Sequence, residues 1–155
     1  MLLRKLFIGL TGFALSATVW AAPNLTVGTA SGQSGTSVDL PITFDPTTAS
    51  VAGLQFNVTL PTAVSTVSIT PGAILNTAGK SITTNLVGNT WTFIIFGLNQ
   101  TTIASGALLT ARVSIAPGTA AGTLSLPVSG VIYSDPSGIS VSPGTSLGGA
   151  ITVTA

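Results

Sequence analysis

Short runs of alternating apolar and polar residues, each ended by proline, glycine or asparagine, restrict the fold of this chain most. In residues 52–60 every second side chain is apolar, and residues 38–44 repeat the pattern. A period of two belongs to a strand with one buried face, whereas a helix would need a period of 3.6. Further runs predict strands at 25–28, 64–70, 81–87, 91–96, 109–115, 124–128, 131–133, 139–141 and 151–153. The spacing of the turns predicts an all-β, two-sheet jelly-roll β-sandwich of about nine strands.

Two of these runs also predict where their strands lie in a sheet. Pro41 interrupts the run 38–44, and proline has no N–H to donate to a neighbouring strand. We therefore expect this strand at a sheet edge or beside a bulge. Residues 91–96 are apolar on both phases of the alternation. Such a run is typical of a central strand that is covered on both sides.

The first residues of the chain have the pattern of a secretory leader. Arg4 and Lys5 precede an apolar stretch that ends near Val19, and Val19-Trp20-Ala21 fits the small-x-small rule for cleavage. The stretch is shorter than the ~20 residues that cross a bilayer, which disfavours an uncleaved anchor and a membrane span. The sequence therefore predicts a signal peptide at 1–21 and one exported domain at 22–155, either extracellular, periplasmic or at the cell surface.

The chain carries very little charge. It has four Lys and Arg residues, three acidic residues, no histidine and no cysteine. A basic surface for nucleic acid or an anionic membrane is therefore excluded, and so is a disulfide. Because copies of the chain repel each other weakly, self-association is expected to be easy.

The residues needed for catalysis or metal binding are also scarce. Without histidine or cysteine, only Lys80 could activate a hydroxyl nucleophile, and its sequence context predicts a solvated turn lysine. Asp45 and Asp135 each precede a proline, which is typical of a turn, and Asp39 lies on the outer phase of a strand. A calcium site would have to consist mainly of carbonyl groups. We therefore expect no enzyme activity, no metal and no cofactor.

The order of the motifs resembles that of a known family. A turn at 32–36 leads into the strand 38–44, followed by the runs 51–60 and, later, 105–115. This order resembles the cohesin domain, within the cohesin and carbohydrate-binding-module superfamily, over about residues 25–153. The resemblance implies a nine-stranded jelly roll without catalytic activity. It also implies binding, either of dockerins through the face of one sheet, as in classical cohesins, or of polysaccharide directly. The chain lacks the charged residues expected on a dockerin-binding face.

We expect binding through one sheet face, whose candidate residues are outward polar side chains of two strands, neutral except for Arg112, together with one tryptophan. Their hydrogen-bonding groups could suit either a protein or a polysaccharide. An aromatic face can also pack on a sugar ring, although a position at the start of the most hydrophobic strand favours core packing for the tryptophan. Tyr133, at a strand end, is a weaker candidate with a hydroxyl expected to contact water. The set is Gln55, Asn57, Thr59, Trp91, Thr110, Arg112 and Ser114.

Two functions follow from these observations. The first is a secreted, non-enzymatic binding or assembly domain that recognises a dockerin-type protein or a polysaccharide, in connection with polysaccharide binding or breakdown. The alternative is a structural subunit of an extracellular fibre, matrix or surface coat. The low charge and the expected strand edges favour stacking of copies and motivate this alternative.

Overall fold

A computed structural model describes residues 21–155, and the predicted leader, apart from Ala21, lies outside the described residues. In this range the chain forms thirteen strands and one six-residue helix. The strands are β1 (Asn24–Val27), β2 (Thr29–Gln33), β3 (Ser37–Asp45), β4 (Gly53–Thr59), β5 (Val64–Pro71), β6 (Ser81–Val87), β7 (Thr90–Phe96), β8 (Gly106–Ile115), β9 (Gly122–Leu126), β10 (Val128–Ser134), β11 (Ser140–Val141), β12 (Ser146–Leu147) and β13 (Gly149–Thr154). The helix α1 (Ala73–Ala78) lies between β5 and β6.

The strands form a sandwich of two principal sheets. The first sheet has the order β12-β1-β3-β8-β5, and the second sheet has the order β11-β10-β4-β7-β6. A third sheet has the order β2-β13-β9. Its strand β2 follows β1 of the first sheet directly in the chain, with only Gly28 between the two strands. The predicted all-β sandwich is confirmed. Two of the thirteen strands, β2 and β12, have no counterpart among the predicted runs.

Aromatic side chains from the two sheets fill the core between them. Phe56 of β4 stacks on Phe93 of β7, with ring centroids 4.7 Å apart and planes only 8° from parallel. Trp91 lies 4.5 Å from Phe93, and Phe44 of the first sheet lies 5.8 Å from Tyr133 of the second. Aromatic pairs at these distances add to the free energy gained by burying their area. The contact between Phe44 and Tyr133 joins the inner faces of the two sheets, whereas the other two contacts lie within the second sheet.

Of the two places predicted for the strand with Pro41, the sheet edge is wrong, and the position beside a bulge is confirmed, because the pairing of β3 with β8 shifts register between Ile42 and Thr43. β3 lies between β1 and β8 in the first sheet. The Gly28 N–H donates to the Pro41 carbonyl over 2.7 Å, but proline cannot return a hydrogen bond to Gly28. The ladder between β1 and β3 ends just before this pair, at Val27 and Ile42. The proline is therefore tolerated in an interior strand, because the neighbouring strand β1 ends at Val27, just before the position opposite Pro41.

The prediction that 91–96 is covered on both sides is also wrong. β7 is an interior strand, between β4 and β6, but only one of its faces points into the core. Trp91, Phe93 and Ile95 are buried, while Ile94 and Phe96 are exposed on the outer face of the second sheet. Apolar residues on both phases thus arise from a core face and an apolar outer face.

The sequence pattern does not predict α1, because six residues are too few to display a helical period. Leu75 and Ala78 are its buried residues, and Gly79 ends it in the left-handed conformation with φ 63°. Gly72 precedes it where the chain passes close to β8, and a side chain there would collide with the Ala107 carbonyl. No helix in residues 21–155 has the length and apolar character that a membrane crossing requires.

Tyr133 does not extend its hydroxyl into water, contrary to the expectation from its place at a strand end. Its side chain is fully buried on the inner face of β10, because the chain bulges at Gly130, which has φ 59°. Within the described residues the phenol oxygen has no hydrogen-bond partner. The nearby Ser146 side chain lowers the pKa of Tyr133, but by less than burial raises it. Burial raises the pKa of Tyr133 to about 12.

Replacing Tyr133 by phenylalanine should leave stability at pH 7 unchanged or raise it by up to about 1 kcal/mol, because an unpaired buried hydroxyl is removed. The stability linked to the raised pKa is present in full below the unfolded value of 10 and is lost as the pH rises toward the folded value of about 12. We therefore expect the wild type to lose about 2 kcal/mol between pH 9 and 11.5, as the phenol ionises more readily in the unfolded chain. The Tyr133→Phe variant should not lose this stability. Urea unfolding of both proteins at pH 9 and at pH 11.5 measures the difference. A variant destabilised at pH 7 would contradict the unpaired hydroxyl.

Candidate binding surface

The candidate residues predicted to share one sheet face lie on two opposite faces of the sandwich. Gln55, Asn57 and Thr59 point outward from β4, in the second sheet. Thr110, Arg112 and Ser114 point outward from β8, in the first sheet. The prediction of one joint surface is therefore wrong. The alternation of each strand identifies its outward residues, but it contains no information about which strands share a sheet.

The outer face of the first sheet is polar throughout its middle. Its central strands β3 and β8 contribute serine, threonine, Pro41 and one ion pair, in which Arg112 lies 3.3 Å from Asp39. Both side chains of this pair are half-exposed. An exposed pair of this kind contributes little free energy, so Asp39 and Arg112 are ordinary surface residues.

The outer face of the second sheet is different, because its central strands carry apolar side chains toward the end where β7 finishes. Ile132 lies beside Gln55, and Gln55 lies beside Ile94, in one row across β10, β4 and β7. Phe96 follows two positions after Ile94 on the same face of β7. The exposed fractions are 37% for Ile94, 47% for Phe96 and 54% for Ile132. We call these three residues the apolar patch.

The apolar patch borders a shallow depression of about 390 Å³ in the same face. Gln55 lies in its floor between the patch residues, and Ser134 and Pro136 extend its wall at the end of β10. One row farther along β4, the Thr92 hydroxyl donates to the Asn57 side-chain oxygen over 2.8 Å. An open depression lined by apolar side chains, with an amide group in its floor, suits protruding side chains of a protein better than an enclosed small molecule.

Two loops beside the depression expose further apolar side chains. Leu98 is fully exposed just after β7, and Ile139 is largely exposed in the turn between β10 and β11. Asp135 fixes that turn, because one of its carboxylate oxygens accepts hydrogen bonds from the N–H groups of Ser137 and Ile139 over 2.8 and 2.9 Å. The two loops therefore widen the apolar area around the patch.

The aspartates serve turns and a surface ion pair, in agreement with the sequence prediction. Asp45 accepts a hydrogen bond from the Thr47 N–H over 2.8 Å and fixes the turn after β3, as Asp135 does after β10. Among residues 21–155, no three histidine, cysteine, aspartate or glutamate side chains gather at a site suited to a metal ion.

Lys80 is buried, and the expectation of a solvated turn lysine is wrong. Its ammonium group donates to the carbonyl of Asn99 over 3.1 Å and to the side-chain oxygen of Asn99 over 2.8 Å. The Asn99 amide in turn donates to the carbonyls of Ala78 and Gly79, at the end of α1. Burial lowers the pKa of Lys80. Lys80 and Asn99 thus fasten the loop that carries Leu98 to the helix end.

Replacing Lys80 by methionine should destabilise the domain by about 1–2 kcal/mol, because two hydrogen bonds from a charged donor are lost at a buried position. The amides of residues 97–101 should also exchange with solvent faster. Urea unfolding and hydrogen exchange measure the two effects. The matched control is Arg112→Met, which removes an exposed cation and should change stability by less than about 0.5 kcal/mol. Equal losses in the two variants would contradict a special role for Lys80.

The aromatic residues of the described range 21–155 do not form a platform of several exposed rings for a sugar. Trp91 is only 4% exposed and packs on Phe93, so it agrees with core packing and is not available on the surface. Tyr133 is buried as well. Among the aromatic side chains of residues 21–155, Phe96 is the exposed one.

The sequence prediction missed the apolar patch, although a signal for it exists. Ile94 and Phe96 are the second apolar phase of the run 91–96, which was interpreted as a second buried face. Ile132 follows the bulge in β10, so its phase could not be derived from simple alternation. In this chain, a strand whose residues are apolar on both faces, although only one face lies in the core, is thus the pattern that indicates the binding face.

Comparisons with known proteins identify the fold. A family model described as "Cohesin domain" matches residues 23–153. A non-cellulosomal cohesin from the archaeon Archaeoglobus fulgidus superposes with a TM-score of 0.74 at 16% identity, over 87% of this chain and 93% of the other. The sixth cohesin of scaffoldin B from Acetivibrio cellulolyticus, solved with a dockerin, gives 0.75 at 19% identity, over 86% and 100%.

A type I cohesin–dockerin complex from Clostridium thermocellum gives a TM-score of 0.76 at 11% identity, over 86% of this chain and 100% of the matched one. A search of curated protein sequences finds no match. The structural likenesses, all at low identity, concern the fold, while the family model covers nearly all of the described residues.

Proposed function

The chain belongs to the cohesin domain family, and from this premise we propose that it is a non-catalytic module that binds a dockerin-type protein. Similar structures include cohesins solved together with dockerins. The observation that carries the proposal is the apolar patch of Ile94, Phe96 and Ile132, which groups exposed apolar side chains on one face of the second sheet. An exposed cluster of this kind costs solubility and is typical of an interaction site.

The composition of the second sheet's outer face supports a protein partner. The apolar patch lies on β7 and β10 near one end of this face, and Gln55, Asn57 and Thr59 of β4 provide hydrogen-bonding groups beside it. An apolar centre with polar surroundings is the usual arrangement of a protein–protein interface. The near-absence of charge implies that recognition depends on shape and hydrogen bonds, and that the association rate depends little on salt.

Polysaccharide is the less well supported ligand. A carbohydrate platform needs several coplanar exposed aromatic rings, whereas Trp91 and Tyr133 are buried and Phe96 stands alone among the described aromatic residues. A link to polysaccharide breakdown would then be indirect, through an enzyme that carries the dockerin-type module. One of the similar cohesins is called non-cellulosomal, so the family alone does not imply such a link.

We also propose that the domain works outside the cytoplasm. The support comes from the sequence, in which Arg4 and Lys5 precede an apolar stretch and a small-x-small site ending at Ala21. Sequencing the N-terminus of protein recovered from the culture medium or cell surface tests the cleavage. A mature chain that begins at Ala22 is the expected result, and an intact N-terminus in the cytoplasm would contradict it.

Binding measured against a panel tests the proposed partner class. Immobilised protein is exposed to purified dockerin modules, and separately to insoluble cellulose, xylan and chitin. We expect saturable binding of at least one dockerin module and no retention on the polysaccharides. Retention on a polysaccharide that survives Phe96→Ala, together with no dockerin binding, would overturn the proposal.

A further inference from the structure

The edge strands of the sandwich are protected to different degrees. β5, at the edge of the first sheet, is interrupted by a bulge near Val67 and ends at Pro71. β11 and β12 contain only two residues each. β6, at the edge of the second sheet, is a regular strand of seven residues with no proline, no bulge and no charge, and it is exposed along nearly its whole length. Edges without such protection are templates for pairing with another strand.

The free edge of β6 presents its own set of backbone groups. Val87 pairs with Thr90 across a two-residue turn at Gly88 and Asn89, and the residues that flank such a turn exchange both hydrogen bonds. By alternation, Thr83, Asn85 and Val87 bond to β7. The N–H and C=O groups of Ile82, Thr84 and Leu86 therefore point away from the sheet.

The side chains of β6 are self-complementary about Thr84. In an antiparallel pair of two copies centred on this residue, Thr84 lies opposite Thr84 and Ile82 lies opposite Leu86 of the second copy. Both of these pairs are on the inner side, since Ile82, Thr84 and Leu86 lie beside Ile95, Phe93 and Trp91 of β7. On the outer side Thr83 meets Asn85. Three of the four kinds of pair thus match in polarity, and the fourth, Ser81 opposite Val87, lies at the two ends of the paired segment.

Apolar side chains beside β6 would also be buried when two β6 strands pair, in addition to the backbone groups. A cleft of about 400 Å³ opens between the edges of the two sheets, lined in part by Val67, Ile82, Leu86 and Trp91. Val67 and Leu86 are exposed at its mouth. The five charged side chains of residues 21–155 are Asp39, Asp45, Lys80, Arg112 and Asp135, all outside β5 and β6. No like-charge repulsion from those side chains opposes the approach of a second copy along these two strands.

From these observations we propose that two copies of the chain pair through β6, antiparallel and centred on Thr84, to form a closed dimer. About six inter-strand hydrogen bonds would join the two second sheets into one continuous sheet. A two-fold contact of this kind uses the edge of both copies and closes, so it does not propagate into a fibre. The apolar patch lies on the sheet face rather than at its edge. Both copies would therefore keep it accessible, and the dimer would present two binding faces side by side.

Sedimentation velocity of the purified full-length chain, expressed so that the host can process it, tests the dimer. We expect a shift from monomer to twice the monomer mass at concentrations on the order of 0.1 mM or below. Thr84→Lys places two like charges opposite each other and should weaken the dimer at least ~10-fold. Thr84→Pro removes an N–H that bonds only to the second copy and should act similarly. The matched control Thr123→Lys, on the distant edge strand β9, should dimerise like the wild type.

Crosslinking tests the register, because the chain has no cysteine of its own. Thr84→Cys should form a disulfide-linked dimer rapidly under mild oxidation, since two paired residues lie about 5.5 Å apart. Thr83→Cys, which faces Asn85 of the second copy, should crosslink much more slowly. A wild type that stays monomeric near 1 mM, a Thr84→Lys variant that dimerises normally, or masses that grow beyond the dimer would each overturn the proposal. Circular dichroism establishes that the variants are folded.

Discussion

Replacing Phe96 by aspartate should weaken binding of a dockerin-type partner at least about 100-fold, which corresponds to about 3 kcal/mol. Phe96 is the exposed aromatic residue of the apolar patch, and aromatic residues in the middle of an interface contribute disproportionately to affinity. The substitution removes that contact and also places a charge where the partner would exclude water. Isothermal titration against a dockerin module bound by the wild type measures the effect.

The matched control for this variant lies on the other side of the sandwich. Thr110→Asp adds the same charge to the outer face of the first sheet, on β8. We expect its affinity to remain within about twofold of the wild type, because surface charges far from an interface act weakly in ordinary salt. If Thr110→Asp abolished binding and Phe96→Asp did not, the binding face would be the first sheet. Unfolding curves of both variants should resemble that of the wild type, since Phe96 lies outside the core.

Replacing Phe93 by alanine should destabilise the domain by about 3–5 kcal/mol. Phe93 is fully buried and contacts both Phe56 and Trp91, at centroid distances of 4.7 and 4.5 Å. Its removal loses the transfer free energy of a large side chain and leaves a cavity between two other rings. Urea unfolding at pH 7 gives the difference in the free energy of unfolding.

Phe96→Ala serves as the internal comparison for Phe93→Ala. The two phenylalanines lie three positions apart on β7 and point to opposite faces of the sheet. Because Phe96 is half-exposed, its truncation should cost less than about 1 kcal/mol of stability. Comparable losses in the two variants would mean that the outer face of β7 is covered, and the apolar patch would then not be a free surface.

Period-two patterns predicted most of the strands, because a strand with one buried face has apolar residues at every second position. Residues 38–44 and 52–60 alternate without exception, and they form β3 and β4. The pattern failed where length or backbone irregularity removed the signal. α1 contains too few turns to show a helical period, and the bulge at Gly130 reverses the phase of Tyr133 and Ile132.

The candidate site was predicted only in part, because sheet pairing joins residues far apart in the chain. Gln55 and Asn57 were correctly placed on an outer face, but Thr110 and Arg112 belong to the opposite sheet. The apolar outer phase of Ile94 and Phe96 predicts a second buried face, because the sequence contains no information about how many faces of a sheet are covered. Lys80 was expected in water because its carbonyl partners, at Asn99, become neighbours only in the folded domain.

Isoleucine methyl resonances offer a way to observe the binding face without any substitution. The wild-type protein, labelled at its isoleucine methyl groups, is titrated with a dockerin module that it binds. Contact through the second sheet should shift or broaden the methyl signals of Ile94 and Ile132, while those of Ile69 in β5 and Ile74 in α1 stay in place. Unchanged signals from Ile94 and Ile132 at saturation, with shifts concentrated around Ile69, would contradict the apolar patch as the place where the partner binds.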